Sequence, residues 1–217
     1  MGDLGLFSSF AGLLESFKNN EIYYNCYCNP GVASANPGSN LTKQPPFIIF
    51  LLQKDSMKEP LRAMLDTNTY EILYRKNLPQ ILNLIESNYL IVYGCKTIRD
   101  ELREIPKNLS VEGRSYRQIL LAIYDKITKN HSYPVESLAE TLAEEYWKAY
   151  KGGVAKRKIM PDFLIVAIAT IHRLDIIVSE DEKTMKSGPA LRAYKQVNTQ
   201  KELQTPRFIK IEELTKP

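Results

Sequence analysis

Short apolar runs alternate with longer amphipathic segments along the chain from Met57 to the C-terminus. Four runs rich in β-forming residues predict strands, namely RAMLD (62–66), YLIVYGC (89–95), LDIIVS (174–179) and RFIKI (207–211). Strands that alternate with helices form a parallel sheet with helices on both faces. The pattern therefore predicts an α/β fold with three layers, α/β/α, around a central parallel sheet.

Helical spacing of apolar residues appears between these runs. It covers 68–87, which we predict as two helices broken near Pro79, then TIRDELREI (97–105), SYRQILLAIYDKITK (115–129), VESLAETLAEEYWKAY (135–150) and DFLIVAIATIHR (162–173). The helices between residues 101 and 162 form a long insert.

The first 56 residues differ from the rest, since they are rich in Asn, Gly, Ser and Tyr and poor in charge. We predict a short helix at 6–17, a loop at 29–40 and a buried strand or packed turn at 46–52. The chain is thus divided into an N-terminal extension, 1–56, and a main domain, 57–217. The extension is an added subdomain, a partner-binding arm or sequence upstream of a true start at Met57, and these alternatives stay open.

The composition limits the classes of function. With 217 residues, 44% hydrophobic and 25% charged, the chain is expected to be globular with one main core. The formal charge of +4 permits a polyanionic partner without requiring one. Three cysteines and no signal-like start indicate a reduced, cytoplasmic protein, and Cys26-x-Cys28 lacks nearby partners for zinc. The longest apolar run, 46–52, is too short for a membrane span.

Four acidic residues stand where the predicted strands end or where the next helices run. Asp66 ends the first strand, Glu101 lies in the helix after the second, Asp162 opens the apolar helix, and Asp181 follows the third strand. Ligands of parallel sheets bind at the carboxyl ends of the strands, where the fold can gather these acids. Two such charges 4 Å apart repel by about 4 kcal/mol at an effective dielectric near 20, so a cluster implies a cation or raised pKa values. Oxygen ligands favour Mg²⁺ or Mn²⁺, the ions of phosphodiester hydrolysis.

The region from Met57 onward, nearly three quarters of the chain, resembles a PIN domain, the nuclease fold of VapC-type toxins and RNA-processing endonucleases. The matching pieces are MLDTN (64–68), the Glu-Leu of TIRDELREI, the helix headed by Asp162 and the Ser-x-Asp at 179–181, where the family commonly has Thr-x-Asp. The resemblance implies a PIN-like fold and a metal-dependent endoribonuclease that leaves 5′-phosphate and 3′-hydroxyl ends. It implies Asp66, Glu101, Asp162 and Asp181 as catalytic metal ligands for Mg²⁺ or Mn²⁺. An RNA substrate, a small antitoxin filling the acidic groove and a homodimer are further implications.

Other residues are candidates for supporting roles. Thr67, Asn68 and Ser179 can orient the carboxylates by hydrogen bonds. The basic run Lys148, Lys151, Lys156, Arg157 and Lys158 precedes Asp162 and can hold RNA phosphates, or it is a solubilising surface. Tyr146, Trp147 and Tyr150 can stack on bases, although packing is the more common role at this spacing. His172 lacks a metal-binding neighbour and is expected to be structural.

Each acid also has a structural interpretation. Asp162 can stabilise a helix N-terminus, Glu101 can belong to a solvated helix face, Asp66 can be a helix cap and Asp181 can lie in a surface turn. Glu180 and Glu182 flank Asp181, so which of the three points inward stays open.

Two functions compete with a nuclease. DTNT (66–69) superficially resembles the Asp-x-Asp-x-Thr of haloacid-dehalogenase-like phosphatases, but Asn68 stands where the general acid of that family is expected. Without a carboxylic proton for the leaving group, phosphatase activity is disfavoured. The second competitor is a catalytically inactive PIN-like module that binds RNA or protein.

Overall fold

A five-stranded parallel sheet forms the centre of the described part of the chain. The structure is a computed structural model, and it describes residues 59–215. Its strands are β1 (Leu61–Leu65), β2 (Leu90–Cys95), β3 (Ser110–Val111), β4 (Arg114–Ser115), β5 (Ser132–Tyr133), β6 (Ile176–Val178) and β7 (Arg207–Ile209). The central sheet has the order β5-β2-β1-β6-β7 with all neighbours parallel, and β3 and β4 pair as a separate antiparallel hairpin.

Helices connect the strands and cover the sheet. They are α1 (Thr67–Ile72), which continues through a π-helical turn at Leu73–Asn77 into α2 (Leu78–Glu86), then α3 (Lys96–Glu104), α4 (Tyr116–Thr128), α5 (Ser137–Ala149), α6 (Lys156–Ile171), α7 (Gly188–Gln200) and α8 (Ile211–Leu214). Pro79 lies in the first turn of α2, where its missing N–H leaves no helical hydrogen bond unmade. The two predicted helices are present, but the chain does not break between them: a π-helical turn at Leu73–Asn77 joins them just before Pro79.

The burial of consecutive residues shows that both faces of the sheet are covered. Successive side chains of a strand point to opposite faces. Ala63, Met64 and Leu65 of β1 are nevertheless all fully buried, and so is the whole of β6. A strand that is buried on both faces has an unbroken run of apolar residues in its sequence, and both of these strands have such a run. The predicted three-layer α/β/α fold with a central parallel sheet is confirmed.

The boundaries differ from the predictions in several places. The strand predicted at 207–211 ends at Ile209, because Ile211 begins α8. The sequence patterns did not indicate the hairpin β3–β4, the edge strand β5 or the helices α7 and α8. The prediction that Asp162 opens its helix is wrong, since α6 begins six residues earlier at Lys156 and includes Pro161.

The order of the strands creates a crevice between β1 and β6. From β1 the chain continues to β2 and β5 on one side, and it then returns to β6 and β7 on the other side. Adjacent loops therefore diverge at the carboxyl ends of β1 and β6, which is where ligands bind in open parallel sheets. The backbone N–H of Asp66 donates to the carbonyl of Val178 over 2.9 Å and joins the two strand ends.

The predictions for 6–17, 29–40 and 46–52, the Cys26-x-Cys28 pair and the boundary between 56 and 57 lie outside the described residues. Among residues 59–215, no helix is both long and apolar enough to cross a membrane.

Candidate active site

A cavity of about 430 Å³ lies at the carboxyl ends of β1 and β6. All four acids singled out in the sequence line it. The complete lining is Asp66, Thr67, Asn68, Glu71, Glu101, Ile105, Pro106, Leu109, Tyr116, Leu120, Asp162 and Asp181. Residues up to 115 positions apart in sequence thus share one small space.

Asp66 is the most deeply buried of the four acids, with 5% of its surface exposed. It is the N-cap of α1, and its Oδ1 accepts a hydrogen bond of 2.7 Å from the backbone N–H of Thr67. Its Oδ2 accepts a bond of 2.8 Å from the hydroxyl of Ser179. Burial raises the pKa of Asp66, although these two donors oppose the rise. Asp66 therefore caps a helix and also faces the cavity.

Glu101 is held by the residue that follows Asp66. The Thr67 hydroxyl donates a short hydrogen bond to Oε2 of Glu101. Burial raises the pKa of Glu101, and the neighbouring Asp66 and Glu104 add to the rise while Thr67 opposes it. The ion pairs on the exposed face of α3 are made instead by Asp100, which pairs with Lys96 and Arg103. Glu101 therefore faces the cavity, whereas its charged neighbour Asp100 forms ion pairs on the exposed face of the helix.

Asp162 lies in the second turn of α6 and does not cap the helix, whose N-cap is Ala155. Its Oδ2 is buried and has no hydrogen-bond partner within residues 59–215. Burial raises the pKa of Asp162 to about 7, and the carboxylates of Asp66, Asp181 and Glu101 act in the same direction while the Thr184 hydroxyl opposes them. A buried carboxylate oxygen without a donor is costly when charged, unless a cation or a proton neutralises it.

Asp181 has the opposite electrostatic character. Its Oδ1 accepts hydrogen bonds from the backbone N–H groups of Lys183, over 2.7 Å, and Thr184, over 2.8 Å, and its Oδ2 accepts a short bond from the Thr184 hydroxyl. Burial raises the pKa of Asp181, but these donors outweigh burial and hold it below its usual value. Asp181 is therefore charged at neutral pH.

The two glutamates beside Asp181 point elsewhere. Glu180 accepts a hydrogen bond of 3.0 Å from the backbone N–H of Ile211. Glu182 pairs with Lys186 over 3.0 Å and with Lys210 over 3.4 Å. Of the three consecutive acids, Asp181 is the one that lines the cavity.

The predicted supporting residues lie beside the acids. Ser179 donates to Asp66 and accepts a hydrogen bond of 3.0 Å from the backbone N–H of Asp181, so its hydroxyl bridges the two. Asn68 accepts a bond of 3.3 Å from the backbone N–H of Glu180. Both side chains tie the end of β1 to the loop after β6.

Two residues near the site were missed in the sequence. The Thr184 hydroxyl donates a short hydrogen bond to Oδ2 of Asp181. It lowers the pKa of Asp181 and opposes the rise in the pKa of Asp162. Lys186, whose side chain is only 10% exposed, donates to the carbonyl of Ser179 over 3.1 Å. The spacing Asp-x-x-Thr at 181–184 is typical of a side-chain-capped turn and is the signal that indicates Thr184.

The fit to a divalent cation is partial. All four candidate ligands are carboxylates, and the unpartnered Oδ2 of Asp162 suits a hard cation. Among residues 59–215, however, no group of three or more His, Cys, Asp or Glu side chains is arranged to hold a metal ion. The hydrogen bonds of Asp181 explain this in part, since they turn its oxygens to its own loop. Mg²⁺ commonly keeps several waters and uses only one or two carboxylates, so the donor set still fits such an ion.

The candidate RNA-binding residues do not line the cavity. Lys156 forms an exposed ion pair of 2.7 Å with Glu144, and Arg157 and Lys158 lie exposed beside it at the start of α6. Exposed cations at this position leave both the phosphate-binding and the solubilising interpretation open.

Two of the three aromatic candidates for base stacking belong to the core. Tyr146 is fully buried and donates a hydrogen bond of 2.7 Å to Asn198, and Tyr150 is 8% exposed. A base-stacking role is therefore wrong for Tyr146 and Tyr150. Trp147 is half-buried, and its ring stacks on that of Tyr150. His172 stacks on Tyr133 with ring centroids 3.6 Å apart. This contact agrees with the structural role expected for His172.

Comparisons with known proteins give only distant likenesses. No family model matches the chain, and no curated protein matches it. A chain in a structure of FitAB bound to an IR36 DNA fragment has 18% sequence identity and a TM-score of 0.43, over 68% of this chain and 94% of that chain. A chain of VapBC2 from Rickettsia felis, bound to a DNA fragment from its promoter, has 14% identity and a TM-score of 0.41, over 69% of this chain and 98% of that chain. Similarity at this level assigns neither a family nor an activity to the protein.

Proposed function

We propose that this protein is a metal-dependent endoribonuclease of the PIN-domain type. It hydrolyses RNA phosphodiester bonds and leaves 5′-phosphate and 3′-hydroxyl ends, as the sequence resemblance implies. The observation that supports the proposal is the meeting of Asp66, Glu101, Asp162 and Asp181 in one cavity. These acids come from four different elements, and they meet at the position where parallel sheets bind ligands.

The electrostatics of the cavity support a cationic cofactor. Burial raises the pKa of Asp66, Glu101 and Asp162, and repulsion between the carboxylates of the cavity adds to the rise. A group of buried carboxylates with perturbed pKa values in one cavity is typical of a functional site. Asp66 and Asp162 would hold Mg²⁺ or Mn²⁺, and Glu101 and Asp181 line the same cavity and add to its negative charge.

The cation, when bound, would supply positive charge that polarises the phosphate and acidifies the attacking water. The residues of the chain position the reactants. Thr67 and Ser179 fix the two oxygens of Asp66, and the Thr67 hydroxyl also fixes Glu101. Because these groups are held before substrate binds, little reorganisation is needed during the reaction.

The test is a cleavage assay on a panel of 5′-labelled RNAs with the purified full chain. We expect cleavage with Mg²⁺ or Mn²⁺, no cleavage with EDTA, and a loss of at least about 100-fold in Asp66→Asn and Asp162→Asn. Glu140→Gln removes an exposed acid of α5 and is the matched control, with wild-type activity expected. A folded wild type that cleaves no RNA with any divalent cation would contradict the proposal.

A second candidate is a PIN-like module that binds RNA or protein without cleaving. The observation that favours it is the lack, within residues 59–215, of a closed group of three metal-binding side chains. RNA binding that is unaffected by EDTA and by Asp66→Asn would support this candidate over the nuclease.

The partners are proposed from the resemblance alone. We propose an RNA substrate, a homodimer in the cytoplasm and, for a toxin-type role, a small antitoxin whose segment enters the acidic cavity. Light scattering of the purified chain tests the dimer, with a mass near twice 24.9 kDa expected. A monomeric mass would contradict it.

A further inference from the structure

The cavity that holds the acids has a second half with different chemistry. Five of its lining residues are apolar or aromatic, namely Ile105, Pro106, Leu109, Tyr116 and Leu120. All five come from one segment, 105–120, which runs from the end of α3 through the β3–β4 hairpin into α4. Asp66, Asp162 and Asp181 come from other parts of the chain. The lining therefore combines an acidic half and an apolar half.

The apolar half is partly open to solvent. Leu109 is 47% exposed, which makes it one of four strongly exposed large hydrophobic residues within 59–215, and the one among them that lines this cavity. The backbone N–H of Tyr116 donates to the carbonyl of Leu109 over 3.0 Å, so the hairpin holds the two residues together at its base. An apolar surface that is held in place beside a charged site is typical of a ligand-binding subsite.

We propose that the segment 105–120 binds the base of one unpaired nucleotide next to the phosphate that the acids would act on. This inference rests on the proposed nuclease function and adds to it a subsite for one base, built by Leu109, Tyr116 and their apolar neighbours in the segment 105–120. The apolar half would contact the face of the base, and the hairpin would exclude water from it.

The shape and chemistry of the cavity favour a nucleotide as the occupant. A volume of about 430 Å³ lies at the lower end of the range for small-ligand pockets, about 300–1,000 Å³, so it suits one nucleotide. A nucleotide carries an anionic phosphate on one side and a flat, largely apolar base on the other, which corresponds to the two halves of the lining. In a duplex the faces of the bases are covered by stacking, so only an unpaired base can present its face to Leu109 and Tyr116.

Tyr116 contributes an aromatic ring to this half. Its ring meets that of Tyr74 at an interplanar angle of 70° with centroids 5.8 Å apart. The Tyr74 contact supports the ring from outside the cavity lining, since Tyr74 itself is not part of that lining. Leu109 is the better residue to test, because its side chain is half exposed and its truncation leaves the core intact.

The experiment measures binding by fluorescence anisotropy, using the full chain with Asp66→Asn to prevent cleavage, in Mg²⁺. The probes are labelled hexaadenylate, labelled hexauridylate and a ribose-phosphate hexamer of the same length without bases. Leu109→Ala is compared with Leu138→Ala, which truncates another exposed leucine, on α5, away from the cavity. Cleavage of the same oligomers by the wild type is measured in parallel.

We expect Leu109→Ala to weaken binding of the two base-bearing oligomers about fivefold and to leave the abasic hexamer unchanged. Leu138→Ala should change neither. The base-binding subsite alone would be overturned if the wild type cleaves RNA in a metal-dependent way while Leu109→Ala affects all three oligomers equally or affects none of them. The apolar half would then have a different occupant, such as a protein segment. If the oligomers do not bind and the wild type does not cleave them, the nuclease proposal fails and the subsite fails with it.

Discussion

The hydroxyl of Ser179 donates a hydrogen bond of 2.8 Å to Oδ2 of Asp66, across 113 positions of the sequence. This bond joins the loop after β6 to the end of β1, the two strand ends that form the crevice. It also supplies the strongest of the hydrogen-bond donors that oppose the effect of burial on the pKa of Asp66. The pair therefore couples the electrostatics of the site to the topology of the sheet.

Removal of this donor should destabilise the charged form of Asp66. We expect Ser179→Ala to raise the pKa of Asp66 further and to lower the free energy of unfolding at pH 8 by about 1–3 kcal/mol, because a buried acceptor loses its partner. The bond stabilises only the charged carboxylate, so the loss should shrink as the pH falls through the pKa of Asp66. Urea unfolding at pH 8 and pH 4 measures the loss of stability at each pH. The control is Ser137→Ala, which removes the hydroxyl of an exposed serine of α5. An equal loss at both pH values would contradict the assignment.

Asp162 should make the fold less stable as the pH rises. Its pKa is about 7 in the folded protein, against 3.8 for the free group, so the folded state binds more protons between these values. Stability is therefore fully present below about pH 4 and is lost as the pH rises to about 7. Asp162→Asn removes the charge and should raise the free energy of unfolding at pH 8 by about 2–4 kcal/mol. Glu140→Gln should not change it, and a less stable Asp162→Asn would disprove this account of the group.

Thr184 should set the protonation of Asp181. Thr184→Val is nearly isosteric and removes the hydroxyl that donates to Asp181. The pKa of Asp181 should rise toward its usual value, as seen in a carbon-detected carboxylate titration by NMR. The stability that this lowered pKa contributes at neutral pH, and that is lost as the pH falls through it, should decrease. The control Thr199→Val, at an exposed position of α7, should leave the pKa of Asp181 unchanged. If Thr184→Val also leaves this pKa unchanged, the backbone N–H donors alone hold the pKa of Asp181 low.

Gly94 should tolerate no side chain. A Cβ at this residue of β2 would lie 2.1 Å from the hydroxyl oxygen and 2.5 Å from Cζ of Tyr124. Tyr124 is buried and its hydroxyl lies within 3.2 Å of the Cys95 carbonyl, so it has little room to move. Gly94→Ala should lower the free energy of unfolding by about 1–3 kcal/mol in urea titrations. Gly153→Ala, where a Cβ meets nothing within 4 Å, should be close to neutral, and equal stability of the two variants would refute the steric explanation.

The sequence was sufficient for the strands β1, β2 and β6 at the centre of the sheet because they are apolar runs with recognisable ends. The strand β5 has only two residues, and its pairing with β2 depends on the sheet edge already being in place. The helix α7 has Ser187 as its N-cap and begins with Gly188 and Pro189, and all three residues are typical of turns. Its buried face includes the polar Asn198. Tertiary contacts decide such elements, and a local pattern does not reveal them.

The four acids could be predicted because strand ends are identifiable in the sequence. The side chains that surround the acids could not be predicted. Asp162 was placed at a helix start because Pro161 precedes it, but α6 begins at Lys156 and includes Pro161 as its sixth residue. At that position the missing N–H removes one helical hydrogen bond, so the local pattern indicated a helix start where the helix continues. The protonation of Asp162 depends on three carboxylates far away in the sequence. The apolar half of the cavity was missed because Leu109 lies in a short, polar loop region. The role that we propose for Leu109 follows from its position beside the acids in the cavity.

The most direct test of a divalent cation at the four acids is anomalous scattering from crystals of the full chain soaked in Mn²⁺. The account predicts a peak inside the cavity, in contact with the carboxylates of Asp66 and Asp162 directly or through one water, and its loss in crystals of Asp162→Asn. A cavity without a peak, in crystals that bind Mn²⁺ at other positions, would contradict the metal-dependent nuclease.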